Sequence, residues 1–290
     1  MFKAFIQTLR PRQWLKNLVI FAGIVFDGQL GNWPALLRVL LAFILFCLVS
    51  GITYTINDLM DVQADRAHPK KQHRPIAAGR LSPKAAIIFA VILSLVVFPA
   101  AFLLELRFGI VCLSYFLLML AYSRWLKNLF IVDVMIISIG FVLRMFGGIA
   151  VIQVQHFSPW LYILTSLLAL FLGFGKRYSE LKMLAAQAGE TRKTLRGYNL
   201  DLLNQYLVVI LGAILITYML YTFAPISGEH NYTMMFTIPF VIYGIFRYMH
   251  ILQNKESGAA PEEVLLSDRP LQAAILLWAI AVFIILYVVL

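Results

Sequence analysis

Residues 36–56 form an almost unbroken apolar run that ends on Asn57-Asp58-Leu59-Met60-Asp61-Val62-Gln63-Ala64-Asp65. About 20 apolar residues are what one helix needs to cross a bilayer. Lipid offers the backbone no hydrogen bonds, so a run of this kind must satisfy its own amides as a helix. Similar runs recur to the last residue. The expected fold is therefore all-α and polytopic, with nine spans at about 14–29, 35–58, 84–104, 108–124, 130–152, 159–176, 205–225, 233–252 and 271–290. Charged residues make up 13% of the chain, about half the share in a soluble domain. One integral membrane domain over residues 1–290 is expected, not a soluble core with an anchor. Residues 1–17 read as an amphipathic segment on the membrane surface, with Lys3, Arg10, Arg12 and Lys16 among Phe2, Phe5, Ile6, Leu9 and Trp14. No short apolar core with a small-residue cleavage site opens the chain, so no removable signal is expected. Cys47 and Cys112 lie in separate apolar runs and are expected to be buried packing residues.

Orientation follows from the basic residues. With nine spans, 21 of the 24 Lys and Arg fall on one side, Arg38 and Arg107 fall on the other, and Arg144 lies inside the fifth span. The N-terminus is then cytoplasmic, the C-terminus lies across the cytoplasmic (inner) membrane, and the aspartates face the cytosol. The net charge of +10 is explained by this asymmetry and by contact with anionic membrane lipids, so nucleic acid is not an expected partner. The two long cytoplasmic loops, 59–83 and 177–204, are the expected working parts.

Asp58, Asp61 and Asp65 stand at i, i+3 and i+7, on one face if the helix continues through them, with Asn57 a turn before Asp61. Three close carboxylates repel one another, and a divalent cation relieves that repulsion. Oxygen ligands of this kind suit Mg²⁺, which is commonly shared with substrate phosphates. Asn57, Asp58, Asp61 and Asp65 are the candidate metal ligands. The plainer alternative is a solvated helix end whose acids pair with Arg66, Lys70 and Arg74. Further polar residues sit at membrane depth or at its cytoplasmic lip. Asp133 and Arg144 are eleven residues apart in one span, about 16 Å along the axis and too far to pair. Each needs a partner on another helix or in a wet cavity. Tyr122 and Lys127 flank the turn before that span, and Lys176, Arg177 and Glu180 end the sixth. The lysines could simply snorkel, but with the aspartates they make one cytoplasmic site for a polyanion. His68 and His73 lack a cysteine partner and read as loop residues.

Asn57-Asp58-x-x-Asp61-x-x-x-Asp65 resembles the first aspartate-rich motif of the UbiA-type membrane prenyltransferase superfamily. The match is closer to its phosphoribosyl-transferring branch at Arg10-Pro11-Arg12-Gln13-Trp14-Leu15-Lys16-Asn17, Asp65-Arg66-Ala67-His68-Pro69 and Arg74-Pro75-Ile76-Ala77-Ala78-Gly79. It continues at Tyr122-Ser123 through Lys127 to Asp133, at Phe141-Val142-Leu143-Arg144 and at Gly175-Lys176-Arg177. The resemblance covers the chain to about residue 200. It implies nine transmembrane helices in one bundle, a polar cap that binds Mg²⁺-diphosphate, and a lipid chain that leaves sideways into the bilayer.

Aromatic prenyltransferases of the superfamily carry a second aspartate motif after the sixth span, where this chain has Lys176-Arg177-Tyr178-Ser179-Glu180. That basic substitution favours a donor with a further phosphate. The resemblance therefore implies transfer of a 5-phosphoribosyl group from phosphoribosyl diphosphate to a polyprenyl (decaprenyl) phosphate, with Lys127, Lys176 and Arg177 seating donor phosphates. Lys16, Lys70 or Arg74 would hold the lipid phosphate. The alternative within the fold is transfer of a prenyl diphosphate to an aromatic acceptor. A transporter with Asp133 and Arg144 on its path is disfavoured, because the charges crowd one face and a path needs polar groups near the midplane. A homo-oligomer is compatible with all of these readings.

Overall fold

The structure is a computed structural model that describes residues 2–67, 71–154, 158–186, 197–223, 232–254, 264–265 and 267–289. Among these residues every regular element is helical. The chain opens with α1 (Phe2–Thr8), a 3-10 helix (Pro11–Phe21) and α2 (Ala22–Phe26), followed by α3 (Trp33–Met60) and α4 (Val62–Ala67). Then come α5 (Pro83–Leu104), α6 (Leu106–Arg124), α7 (Val132–Ala150), α8 (Pro159–Ala186), α9 (Leu200–Phe223), α10 (Ile238–Asn254) and α11 (Arg269–Ile284).

Eight of the described helical segments are long and apolar enough to cross a membrane, and they overlie the second to ninth expected spans, although α8 continues to Ala186, ten residues into the expected loop 177–204. The chain is an integral multi-pass membrane protein. The expected first span, 14–29, is different. Instead of one α-helix it is an eleven-residue 3-10 helix that runs into the five residues of α2. Pro11 at its start lacks the amide that would tie it to the preceding turn.

Sequence sets the starts of the spans. Asn32, Ser82, Asn199 and Asp268 each accept a hydrogen bond from an amide three residues on, at 3.3, 3.2, 2.7 and 3.0 Å. These caps satisfy orphan donors of the first turn. Pro34, Pro83 and Pro270 follow three of the caps, where a missing amide does no harm. The outward faces carry large apolar side chains, among them Ile88, Val91, Leu95 and Leu103 on α5, an arrangement that suits lipid and would be a large sticky patch in water.

The chain divides into two compact units. The first comprises residues 1–127 and 139–157, the second residues 128–138 and 158–290, so α7 contributes to both. The first unit packs around Ile20, Ile24, Phe46, Ile52, Phe108 and Tyr115, with the sulfhydryls Cys47 and Cys112 buried and unbonded to each other. Close approach of the N-terminal segment depends on glycine: a Cβ on Gly148 would stand 1.8 Å from the Ile20 carbonyl oxygen. Segment α1 does not merely rest on a membrane surface. Ala4 is buried in a cluster with Ile76, Leu81 and Ala86, and the Phe5 ring packs tilted against Phe89 with centroids 4.7 Å apart. The second unit packs around Val134, Phe171, Phe174, Leu203, Leu207 and Tyr248.

Candidate functional site

In the first unit, α3 ends at Met60 and the backbone breaks at Asp61 (φ −100°, ψ 11°) before α4 begins. The shared face expected for the three aspartates required the helix to continue through them. The amides of Asp61 and Asp65 still bond to the carbonyls of Asn57 and Asp61, at 3.0 and 2.8 Å. The break therefore turns the acids without scattering them. Asp58 and Asp65 are buried and Asp61 is partly open.

Each acid meets a cation. Asp58 is paired with Arg10 and, at 3.1 Å, with Arg74, which also holds Asp65 at 2.6 Å. Lys127 Nζ lies 3.0 and 3.2 Å from the two oxygens of Asp61. Three carboxylates thus face three cations. Among the described residues no three acids, histidines or cysteines converge as a ready metal site. Of the partners expected for these acids, Arg74 is present. Arg66 instead donates to the Ala77 carbonyl at 3.2 Å, and Lys70, with His68, lies outside the described residues. Asn57 is half-buried beside Asp58, and Tyr122 and Lys16 are half-buried on α6 and the 3-10 helix.

Arg10 is the residue that sequence reasoning left out of this site. It occupies a left-handed backbone conformation (φ 51°) just before Pro11, with its guanidinium 4.9 Å above the Tyr54 ring. Two signals were in the sequence: a cation beside a helix-breaking proline, and its place in the Arg10–Asn17 stretch. Its pairing with an acid 48 residues away was not.

Arg144 finds its partners deeper in the first unit. It donates to Asn17 Oδ1 at 2.7 Å, to the Gly140 carbonyl at 2.8 Å and to the Tyr115 hydroxyl at 2.8 Å. Asn17 in turn donates to Cys47 Sγ at 3.1 Å. The charge is spread over neutral acceptors and aromatic faces, with Phe46, Tyr115 and Phe141 within 6 Å.

In the second unit, Asp133 is fully buried and Arg177 is 1% exposed. Their Oδ2 and Nε lie 3.0 Å apart, and Arg177 also pairs with Glu180 one turn on. The Tyr198 hydroxyl donates to Asp133 at 3.2 Å and accepts the Ile131 amide at 3.0 Å. Ile131 has φ 65°, a costly conformation for a β-branched residue, and the phenol satisfies the amide which that turn exposes. Burial and then the Asp133 charge push the Tyr198 phenol above the ordinary tyrosine range. Lys176 is half-buried next to Arg177. Arg192, Lys193 and Arg196 lie outside the described residues.

This geometry has relatives. The UbiA prenyltransferase family model matches residues 18–267. A decaprenyl-phosphate phosphoribosyltransferase of Mycolicibacterium smegmatis is 33% identical over 94% of this chain and 89% of its own. The enzyme of that name from Mycobacterium tuberculosis is 31% identical over 94% and 91%. Among solved structures, a UbiA homolog from Archaeoglobus fulgidus bound to GPP and Mg²⁺ superposes with a TM-score of 0.72 at 18% identity, covering 98% of this chain and 99% of that one. That likeness is one of fold. With the family model matching most of the sequence and the acid cluster at the end of α3, the chain belongs to the UbiA prenyltransferase family, and it is a transferase.

Proposed function

We propose that the protein transfers a 5-phosphoribosyl group from phosphoribosyl diphosphate to a polyprenyl phosphate of the decaprenyl type, releasing diphosphate at the cytoplasmic face. The observation that carries this reading is the cluster in which Asp58, Asp61 and Asp65 are balanced by Arg10, Arg74 and Lys127. The names of relatives about a third identical over nearly the whole chain support the choice of donor and acceptor.

Carboxylate and amide oxygens are the donors that magnesium takes, so Asp58, Asp61, Asp65 and Asn57 fit the ion in kind. They would hold it only after trading partners, because each acid now rests on a cation. When bound, Mg²⁺ supplies neutralising charge to a diphosphate leaving group. Arg10, Arg74 and Lys127 then turn from carboxylates to phosphate oxygens, an exchange of like charges that leaves none of them unpaired. An oxygen of the lipid phosphate attacks ribose C1 as the bond from C1 to the diphosphate breaks. That oxygen is already anionic, so no side chain need remove a proton. What the chain contributes is position and fixed charge.

In the second unit, Lys176 is the cation we assign to a substrate phosphate. Arg177 is assigned to holding Asp133 and Glu180, and Tyr122 and Lys16 to lining the phosphate-binding region. Arg144 is assigned to the acceptor side, where its neutral partners leave its positive charge uncancelled.

The topology we assign has nine crossings in the cytoplasmic membrane, with the N-terminus inside and the C-terminus outside. Eleven residues of 3-10 helix rise about 22 Å and the five of α2 about 7.5 Å. Together they reach about 30 Å, the thickness of the hydrocarbon layer. This segment runs from Arg10, on Asp58, to Gln29, which lines the same cavity as Arg38. Asp58 and Arg38 are 20 residues apart on α3, again about 30 Å.

The test is incubation of membranes containing the protein with labelled phosphoribosyl diphosphate and decaprenyl phosphate, in parallel with a labelled prenyl diphosphate and an aromatic acid. Labelled phosphoribosyl lipid is the expected product. Label incorporated only from the prenyl diphosphate would overturn the assignment.

A further inference from the structure

At the end of the first unit away from the aspartates lies a cavity of about 480 Å³ lined by Gln29, Asn32, Arg38, Glu105, Arg107 and Gln153 among others. That size is in the range of small-ligand sites. Its walls are locked in place. Arg38 donates to the Val151 carbonyl at 2.6 Å and the Leu104 carbonyl at 3.1 Å, and pairs with Glu105 Oε2 at 3.0 Å, so one side chain ties α3 to the ends of α5 and α7. Gln29 donates to the Gln153 carbonyl at 2.8 Å and closes a further side.

Arg38 and Glu105 hold the walls together, but Arg107 has no such task. Positive residues are rare on the side of a membrane protein away from the cytosol, and on the topology assigned above only Arg38 and Arg107 fall there. They are 69 positions apart in sequence, yet both line this one cavity. Arg107 is exposed and has neither a hydrogen bond nor an ion pair among the described residues. It sits in the first turn of α6, where the helix dipole opposes a cation. Glu105 beside it commits Oε2 to Arg38, and Oε1 has no partner among the described residues.

The geometry points to a binding site for the headgroup of a membrane phospholipid that carries both a phosphodiester and a primary ammonium. Arg107 takes the phosphate oxygens in a charge-assisted contact. Glu105 Oε1 accepts from the ammonium, and Asn32 lines the same cavity with an amide that can donate to a further oxygen. The cavity lies at the helix ends, about 30 Å along α3 from Asp58, so a lipid there keeps its tails in the bilayer while its headgroup fills the cavity. A quaternary ammonium cannot donate to Glu105 Oε1, and a glycerol headgroup offers it only a neutral hydroxyl, a weaker donor to a carboxylate than an ammonium. The site therefore selects phosphoethanolamine over phosphocholine or phosphoglycerol.

Thermal unfolding of the full-length protein in detergent tests this, with added lipids of identical tails and different headgroups. The phosphoethanolamine lipid is expected to raise Tm by several degrees beyond the phosphocholine and phosphoglycerol lipids. That difference should vanish in Arg107→Ala, which breaks no hydrogen bond or ion pair among the described residues and should leave the Tm without lipid unchanged. Glu105→Gln should bring the phosphoethanolamine lipid down to the level of phosphocholine. An equal rise with all three lipids, or an undiminished preference in Arg107→Ala, would overturn the site. An equal rise with soluble phosphoethanolamine would overturn the assignment to a membrane lipid.

Discussion

Two groups of carboxylates, one in each unit, are neutralised by cations in opposite ways. Around α3 and α4 all three cations remain partly open, at 21–24% exposure, and so does Asp61 at 29%, although Asp58 and Asp65 are buried beneath them. Around Asp133, the pair with Arg177 is sealed, with neither side chain more than 2% exposed. An open pair is weakly held and can be exchanged for a ligand. A sealed pair is costly to break, because either partner left alone is a buried charge. The difference separates groups free to meet substrate from groups that hold the frame.

The sharpest way to break this comparison is to remove one sealed partner. Arg177→Ala should cost about 3–5 kcal/mol of stability, read as loss of folded protein in membranes. The double change Asp133→Leu with Arg177→Met should recover most of it. If Arg177→Ala folds normally and only loses turnover, the arginine belongs with the substrate-binding cations. Next in size is Asp61→Asn. Turnover should fall about 100-fold, equivalent to about 2.7 kcal/mol, with Tm nearly unchanged.

A smaller effect is expected at Lys127→Met. KM for the phosphoribosyl donor should rise about tenfold, about 1.4 kcal/mol, with a lesser change in kcat. The smallest is Tyr198→Phe, which removes hydrogen bonds worth about 1 kcal/mol. It carries a pH signature. The folded state keeps this phenol protonated above the ordinary tyrosine value near 10, whereas the unfolded chain releases the proton. Stability should therefore fall as pH rises past about 10, and Tyr198→Phe should flatten that part of the profile. An unchanged slope would place the tyrosine outside the network.

The spans were legible because lipid imposes one rule on every crossing, and eight of them fall where the apolar runs lie. The first was not, since a run of that length fits one α-helix as well as a 3-10 helix joined to a short α-helix. The three aspartates were legible from their spacing, but not the break at Asp61 that turns them. Lys127 was legible as a cation in the short turn before the fifth span. The partner of Arg177 was not legible: in Lys176-Arg177-Tyr178-Ser179-Glu180 it reads as a seat for a donor phosphate, and in the fold it faces Asp133, 44 positions earlier. Tyr198 had no local signal at all. Its role arises from the left-handed turn at Ile131, and a β-branched residue there is the last that sequence rules would choose.

The central claim is that the open cluster binds a magnesium-linked diphosphate by exchanging its cations. Calorimetric titration of the purified protein with phosphoribosyl diphosphate, with and without Mg²⁺, tests it most directly. Saturable binding that requires Mg²⁺ and is lost in Asp61→Asn is the predicted result. Equal affinity in chelator, or undiminished binding by Asp61→Asn, would contradict it.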